Sequence, residues 1–195
     1  MDIRVVLSGV AVALSLVQYL PYVVATLRGT TKPHAFSWFA WGLPTIIVFF
    51  AQWSESAGAG IWVTGFTGAV CTAIFVLALF YGEKDIRPLD WLCFVASVIG
   101  IALWFVTKNP LSAVILMTSV DLLGFVPTVR KSLTKPYEET MFTYAASVFK
   151  WVCSVAALTV FNATTLIYPL AMIVGNGTFV ILLAIRRRQL DNQSI

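Results

Sequence analysis

The sequence predicts an all-α integral membrane protein. Seven transmembrane helices form two parallel triple-helix repeats, with the fourth helix as the linker between them. Three observations carry this. The 195 residues are 59% hydrophobic and only 11% charged, whereas a soluble domain carries about 25% charged residues. The apolar residues fall in blocks close to the roughly 20 residues that span a bilayer. Finally, Thr31-Lys32-Pro33 returns 103 residues later as Thr134-Lys135-Pro136, again between two apolar blocks. A period of this length is the signature of an internal repeat.

The first span is Ile3–Leu27, bent by Pro21 in its last third. A basic loop, 28–34, follows. Lys32-Pro33 opens the second span, 35–53, with Pro44 near its middle. The third span, 57–81, contains Gly58, Gly60, Gly65 and Gly68, small residues that let membrane helices approach closely. The polar loop 82–88 leads to the fourth span, 89–107, and the tight loop Lys108-Asn109-Pro110 to the fifth, 111–129. A second basic loop, 130–139, precedes the sixth span, 140–161. The seventh span, 166–185, is expected to stop at Arg186-Arg187-Arg188. Three spans are an odd number, so a direct fusion of two triplets would invert the second copy. One intervening span restores a parallel pair, related by an axis along the membrane normal with a cavity between the halves. The units are therefore 1–82, 83–109 and 110–195.

Charge sets the orientation. Ten basic residues lie in the loops 1–2, 3–4 and 5–6 and the C terminus; Arg4 and Lys108 lie opposite. The positive-inside rule places the C terminus in the cytoplasm and the N terminus outside, in a cell (inner) membrane. The +4 net charge is explained by orientation and implies no nucleic-acid partner. Cys71, Cys93 and Cys153 sit inside apolar blocks as small packing residues, with no metal-ligand spacing. No cofactor motif and no ATP-binding loop is present. The single histidine, His34, lies in a loop and is expected to face solvent or headgroups. Without a cluster of His, Asp or Glu, the chain does not read as an enzyme.

Polar residues inside the spans are candidate functional residues. Asp121 lies nine residues before Arg130, about 13 Å deep at 1.5 Å per residue. Lys150 lies eleven residues after Glu139, about 16 Å deep. Adjacent fifth and sixth helices would let them meet, either as a substrate or proton site or as a static ion pair. Ser147 shares the Lys150 face. Asn176, flanked by glycines, reads as lining a cavity or joining two helices. Gln18, equivalent to Asp121 in the repeat register, and Thr67 in the third span are weaker candidates. Trp38 and Trp41 share a face and serve either as interface anchors or as a stacking surface for a ligand. Pro21, Pro44 and Pro127 are either hinges or fixed kinks.

This layout resembles the SWEET and PQ-loop superfamily of transporters over nearly the whole chain. Pro21 stands where that family carries a proline-glutamine pair, here followed by Tyr22. Arg28 to Pro33 matches its basic loop, and Ser37-Trp38 the opening of the second helix. In the second copy Pro127 is followed by Thr128, then Arg130-Lys131-Ser132 and Lys135-Pro136. The resemblance implies flexing prolines at 21, 44 and 127. It makes Asn176 the pocket asparagine of the seventh helix and Trp38 or Trp41 a pocket aromatic. The expected function is a secondary transporter moving a small polar or zwitterionic metabolite by alternating access, with or without proton coupling. The alternatives are a passive sugar facilitator, a seven-helix sensor or photoreceptor, and a membrane enzyme.

Overall fold

The computed structural model describes residues 2–107 and 109–193. Seven α-helices follow one another: α1 (Ile3–Leu27), α2 (Ala35–Ser54), α3 (Ile61–Tyr81), α4 (Pro88–Thr107), α5 (Pro110–Thr134), α6 (Met141–Ala156) and α7 (Ala163–Gln193), with a 3-10 turn, Pro136–Glu138, between α5 and α6. No strand occurs among the described residues. Lys108, counted above for orientation, lies outside them.

Five helices, α1, α2, α3, α5 and α7, are long and apolar enough to cross a bilayer. The chain is thus a multi-pass integral membrane protein. The remaining two carry shorter apolar stretches, Pro88–Leu103 in α4 and Met141–Ala156 in α6. Phe50, Phe80, Phe149 and Val174 are more than half exposed, whereas Ser15, Gln18, Thr45, Asp121 and Lys150 are buried. Apolar residues outside and polar ones inside suit a chain solvated by lipid.

The helix ends depart from the sequence reading in four places, each with a local cause. Residues 57–60 are not helical: Ser56 and Gly58 have φ of 54° and 80°. A Cβ at Gly60 would meet the Ser154 carbonyl oxygen at 2.7 Å, so this turn lies tight against α6. The sixth helix stops at Ala156 rather than 161 because the chain leaves it to pair with that turn, through Thr159 N–H donating to Ala57 O at 3.2 Å. The fifth helix runs on through Arg130 and Lys131 to Thr134, held by the Arg130–Asp90 pair at 2.6 Å. Nor do the three arginines stop α7, which continues to Gln193. Arginine is a good helix former, and here Arg186 donates to Leu133 O and Arg187 to Pro136 O and Glu139 O.

Helix neighbours follow a regular pattern. Helix α3 packs along both α1 and α2, which meet through the Tyr22 and Trp38 side chains; α7 likewise packs along α5 and α6. Between the two sets, α2 packs along α5 and α1 along α6. Helix α4 lies chiefly on α5. Among the described residues α5 and α6 do not pack backbone against backbone, which corrects the expectation that they are adjacent. Close approach depends on glycine at the α2–α5 contact: a Cβ at Gly124 would meet Trp41 Nε1 at 2.8 Å and Ala40 Cβ at 2.9 Å.

Candidate functional site

A cavity of about 40 Å³ lies inside the bundle, with walls from α1, α2, α3, α5, α6 and α7. That volume holds roughly three water molecules. Of the side chains singled out from sequence, Gln18, Trp38, Trp41 and Thr67 line it from α1, α2 and α3, and Asp121, Ser147 and Asn176 from α5, α6 and α7.

Asp121 is 2% exposed. Its Oδ1 accepts from the Tyr168 hydroxyl at 3.2 Å and from Thr45 Oγ1 at 3.4 Å. The two hydroxyls are themselves 2.6 Å apart. Its main-chain carbonyl accepts the Trp41 indole N–H at 2.9 Å. The main-chain carbonyl of Gln18 in α1 accepts the Thr143 hydroxyl of α6 at 3.0 Å. One of these bonds joins α2 to α5 and the other α6 to α1.

Lys150 is completely buried but lies behind the cavity wall. Its Nζ donates to Thr67 Oγ1 at 3.1 Å and to Tyr19 OH at 3.3 Å. It sits 5.0 Å from the Tyr19 ring centroid and 4.8 Å from that of Trp151, cation–π distances. Among the described residues no ion pair joins Lys150 to Asp121. Asp121 and Lys150 are therefore not in direct contact.

At the basic end of the bundle several bonds link α1 and the loop after it to α5 and the turn that follows it. Lys131 forms an ion pair with Glu139, both side chains 1% exposed, and donates to Lys32 O at 2.6 Å. Glu139 also accepts from Tyr144 OH at 2.9 Å and Tyr22 OH at 3.4 Å. Trp38 Nε1 donates to Tyr22 at 3.2 Å. Farther out, Lys32 pairs with Glu138 at 3.1 Å and Lys135 with Glu83 at 3.0 Å. Burial pushes the Glu83 carboxyl up, but the Asp85 and Lys84 N–H groups and the Lys135 ammonium outweigh it and bring it down to about 2.

His34 also differs from expectation. It is fully buried, because the 82–88 loop folds over it: Glu83 N–H donates to Pro33 O at 3.0 Å, and Asp90 Oδ2 lies 3.5 Å from His34 Nε2. Neither ring nitrogen has an aligned hydrogen-bond partner among the described residues. Burial pushes the imidazole below its ordinary value; Asp90 pulls it back up, and Lys131 and Arg130 add to the downward shift.

The opposite end is closed mainly through neutral groups. Gln52 Nε2 donates to Thr165 O at 3.3 Å and Ser154 Oγ to Gly60 O at 3.1 Å. Asn162 Nδ2 reaches the Glu55 carboxylate at 3.2 Å. Pro169 explains the first bond: it has no N–H, so the carbonyl four residues back, Thr165 O, lacks its helical partner. Proline 169 is a fourth proline inside a helix, beside Pro21, Pro44 and Pro127.

Sequence reasoning did not single out Tyr19, Thr45, Cys71 or Tyr168 as cavity residues. Thr45 and Tyr168 each neighbour a helix proline in sequence, the one signal that marks them. Among the described residues no group of three or more His, Cys, Asp or Glu is placed to hold a metal ion. No family model, curated protein or solved structure matches the chain.

Proposed function

We propose that this protein is a secondary transporter that moves a small polar or zwitterionic solute by alternating access, without a cofactor and without enzymatic chemistry. One observation carries the reading. A cavity with buried polar side chains in its wall, inside an apolar bundle, draws on both of the proposed helix triplets, and bonds between those triplets lie toward each end of the bundle. Rocking one triplet against the other would break one set of bonds while the other set holds, which is the mechanical requirement of alternating access. The space, about 40 Å³, is too small for a metabolite, so a solute enters only as the bundle opens further.

The proposed architecture is two parallel triplets, 1–82 and 110–195, with 83–109 as the linker. The neighbour pattern supports it: exchanging α1 with α5, α2 with α6 and α3 with α7 keeps the same neighbours among these six helices, and α4 stands outside the exchange. So do the paired bonds at the Gln18 and Asp121 carbonyls. The resemblance to SWEET and PQ-loop transporters agrees with this arrangement. The basic residues favour a cytoplasmic C terminus and an outer N terminus. Pro21, Pro44, Pro127 and Pro169 are the proposed bending points.

The test is uptake by proteoliposomes of pooled amino acids, sugars and carboxylates, with and without an inward proton gradient, for the natural chain and Asp121→Asn. Gradient-driven uptake lost in the variant supports a coupled transporter centred on Asp121. Sugar uptake that ignores both changes supports a passive facilitator. No uptake of any solute overturns the transport reading.

A further inference from the structure

Lys150 is fully buried in α6, and among the described residues it joins no ion pair. Its Nζ meets two hydroxyls, that of Tyr19 in α1 at 3.3 Å and that of Thr67 in α3 at 3.1 Å. The rest of its surroundings are the faces of the Tyr19 and Trp151 rings. The other ionisable groups toward this junction are the Cys71 thiol of α3, 3.6 Å from Tyr19 OH, and Tyr168 of α7, whose ring meets that of Trp151 at 5.2 Å. Asp121 of α5 is turned to Tyr168 and Thr45. It occupies the matching place: in the proposed architecture the meeting of α1, α3 and α6 corresponds to that of α5, α7 and α2. Each junction holds one buried ionisable side chain on one tyrosine and one threonine hydroxyl. Hydroxyls suit a group that changes its charge. Each accepts from an ammonium or, turned round, donates to the lone pair of a neutral amine, whereas a carboxylate partner would favour the charged form alone. Tyr19 and Thr67 also line the cavity, so they stand between Lys150 and whatever the cavity holds.

We propose that Lys150 is the proton carrier of the transport cycle, loaded and unloaded from the cavity through the Tyr19 and Thr67 hydroxyls. This deepens the transport reading above and rests on it. In unloading, Nζ passes one proton to a hydroxyl oxygen, and that hydroxyl's own proton passes to water in the cavity. The ammonium becomes an amine, the water becomes hydronium, and the hydroxyl is left donating back to Nζ. Only N–H and O–H bonds form and break, and loading is the same sequence reversed. A proton needs no room behind the wall, so Lys150 takes part without touching a solute. The deep, unpaired position has a use on this assignment, whereas a lysine kept only for packing would bring a buried charge and its cost for nothing.

Two measurements test this. Nitrogen-15 spectra of the lysine-labelled full-length protein in detergent follow the lysine amino groups from pH 5 to 9, with Lys150→Arg identifying the signal. The expected result is one signal that changes reversibly between ammonium and amine and is missing in the variant. A Lys150 signal that keeps one state throughout overturns the proposal, whether or not the protein transports. The second measurement uses proteoliposomes and the radiolabelled pool of amino acids, sugars and carboxylates. Gradient-driven accumulation is compared with counterflow, in which labelled solute exchanges for unlabelled solute and no net proton crosses. Lys150→Met holds no proton and the guanidinium of Lys150→Arg gives none up, so each variant should lose at least tenfold of the accumulation and keep counterflow within twofold. Retained counterflow shows that the variant is folded. Accumulation retained in either variant, or counterflow lost at an unchanged melting temperature, overturns the carrier. Uptake by the natural chain that ignores the gradient also overturns it and leaves transport standing. A Lys150 that changes state in a protein that moves no solute leaves the proton site standing and overturns transport instead.

Discussion

Trp41 of α2 and Asp121 of α5 are joined: the indole N–H of one donates to the main-chain carbonyl of the other at 2.9 Å. The bond fixes the depth at which α2 and α5 cross and holds the Asp121 side chain toward the cavity. Trp41→Phe keeps a ring in place and removes the donor. The expected loss is about 1 kcal/mol, the net worth of one such bond, read as a lower melting temperature in detergent.

Gly124 makes that crossing possible. In Gly124→Ala the new methyl meets Trp41 Nε1 at 2.8 Å and Ala40 Cβ at 2.9 Å, so α5 or the indole must shift. Overpacking of this kind costs about 1–3 kcal/mol. Because the shift also breaks the Trp41–Asp121 bond, Gly124→Ala combined with Trp41→Phe should destabilise by less than the sum of the two. Thermal unfolding of the three variants measures this.

Lys131 and Glu139 should behave as a unit. Their ion pair is enclosed, so Lys131→Met alone leaves a buried carboxylate without its cation and costs about 3–5 kcal/mol. Adding Glu139→Gln removes that charge, while Tyr22 and Tyr144 can still donate to the amide oxygen. The double variant should recover most of the lost stability. A double variant no more stable than Lys131→Met would show that the pair is not what holds this end.

His34 gives a pH dependence of defined sign. Its folded value lies below the ordinary 6.5, with burial the largest cause and Lys131 and Arg130 contributing, against the pull of Asp90. The unfolded chain therefore takes up the proton first. The stability that His34 contributes is complete above 6.5 and is lost as pH falls below it. Melting temperature should decline between about pH 7 and 5.5, a window in which histidine is the side chain that ordinarily titrates. As the only histidine in the chain, it can be tested alone: His34→Gln should flatten that decline.

Much of the fold was legible in the sequence because lipid imposes a simple demand: apolar blocks of spanning length, with charged turns between them. The first helix agrees residue for residue with its apolar block, and the repeated Thr-Lys-Pro marks both basic loops. Gln18, Asp121 and Asn176 were legible as cavity residues because an amide or carboxylate in an apolar helix needs a partner. Tyr19 and Tyr168 were not, since a tyrosine in such a helix reads equally as packing or as an interface anchor. The burial of His34 depends on a loop some fifty residues away folding over it, which no local pattern records. The Asp121–Lys150 contact failed for a related reason: depth along a helix was readable, but which helices are neighbours was not.

The two ends of the bundle are held by different kinds of bond. Ion pairs hold the basic end, several of them partly exposed, while amide and hydroxyl groups bonded to main-chain carbonyls do most of the holding at the other. Dissolved salt acts on the first kind and hardly on the second, because screening weakens exposed charges and leaves neutral hydrogen bonds alone. Ionic strength is therefore a one-sided lever. Raising it loosens one end of the bundle relative to the other.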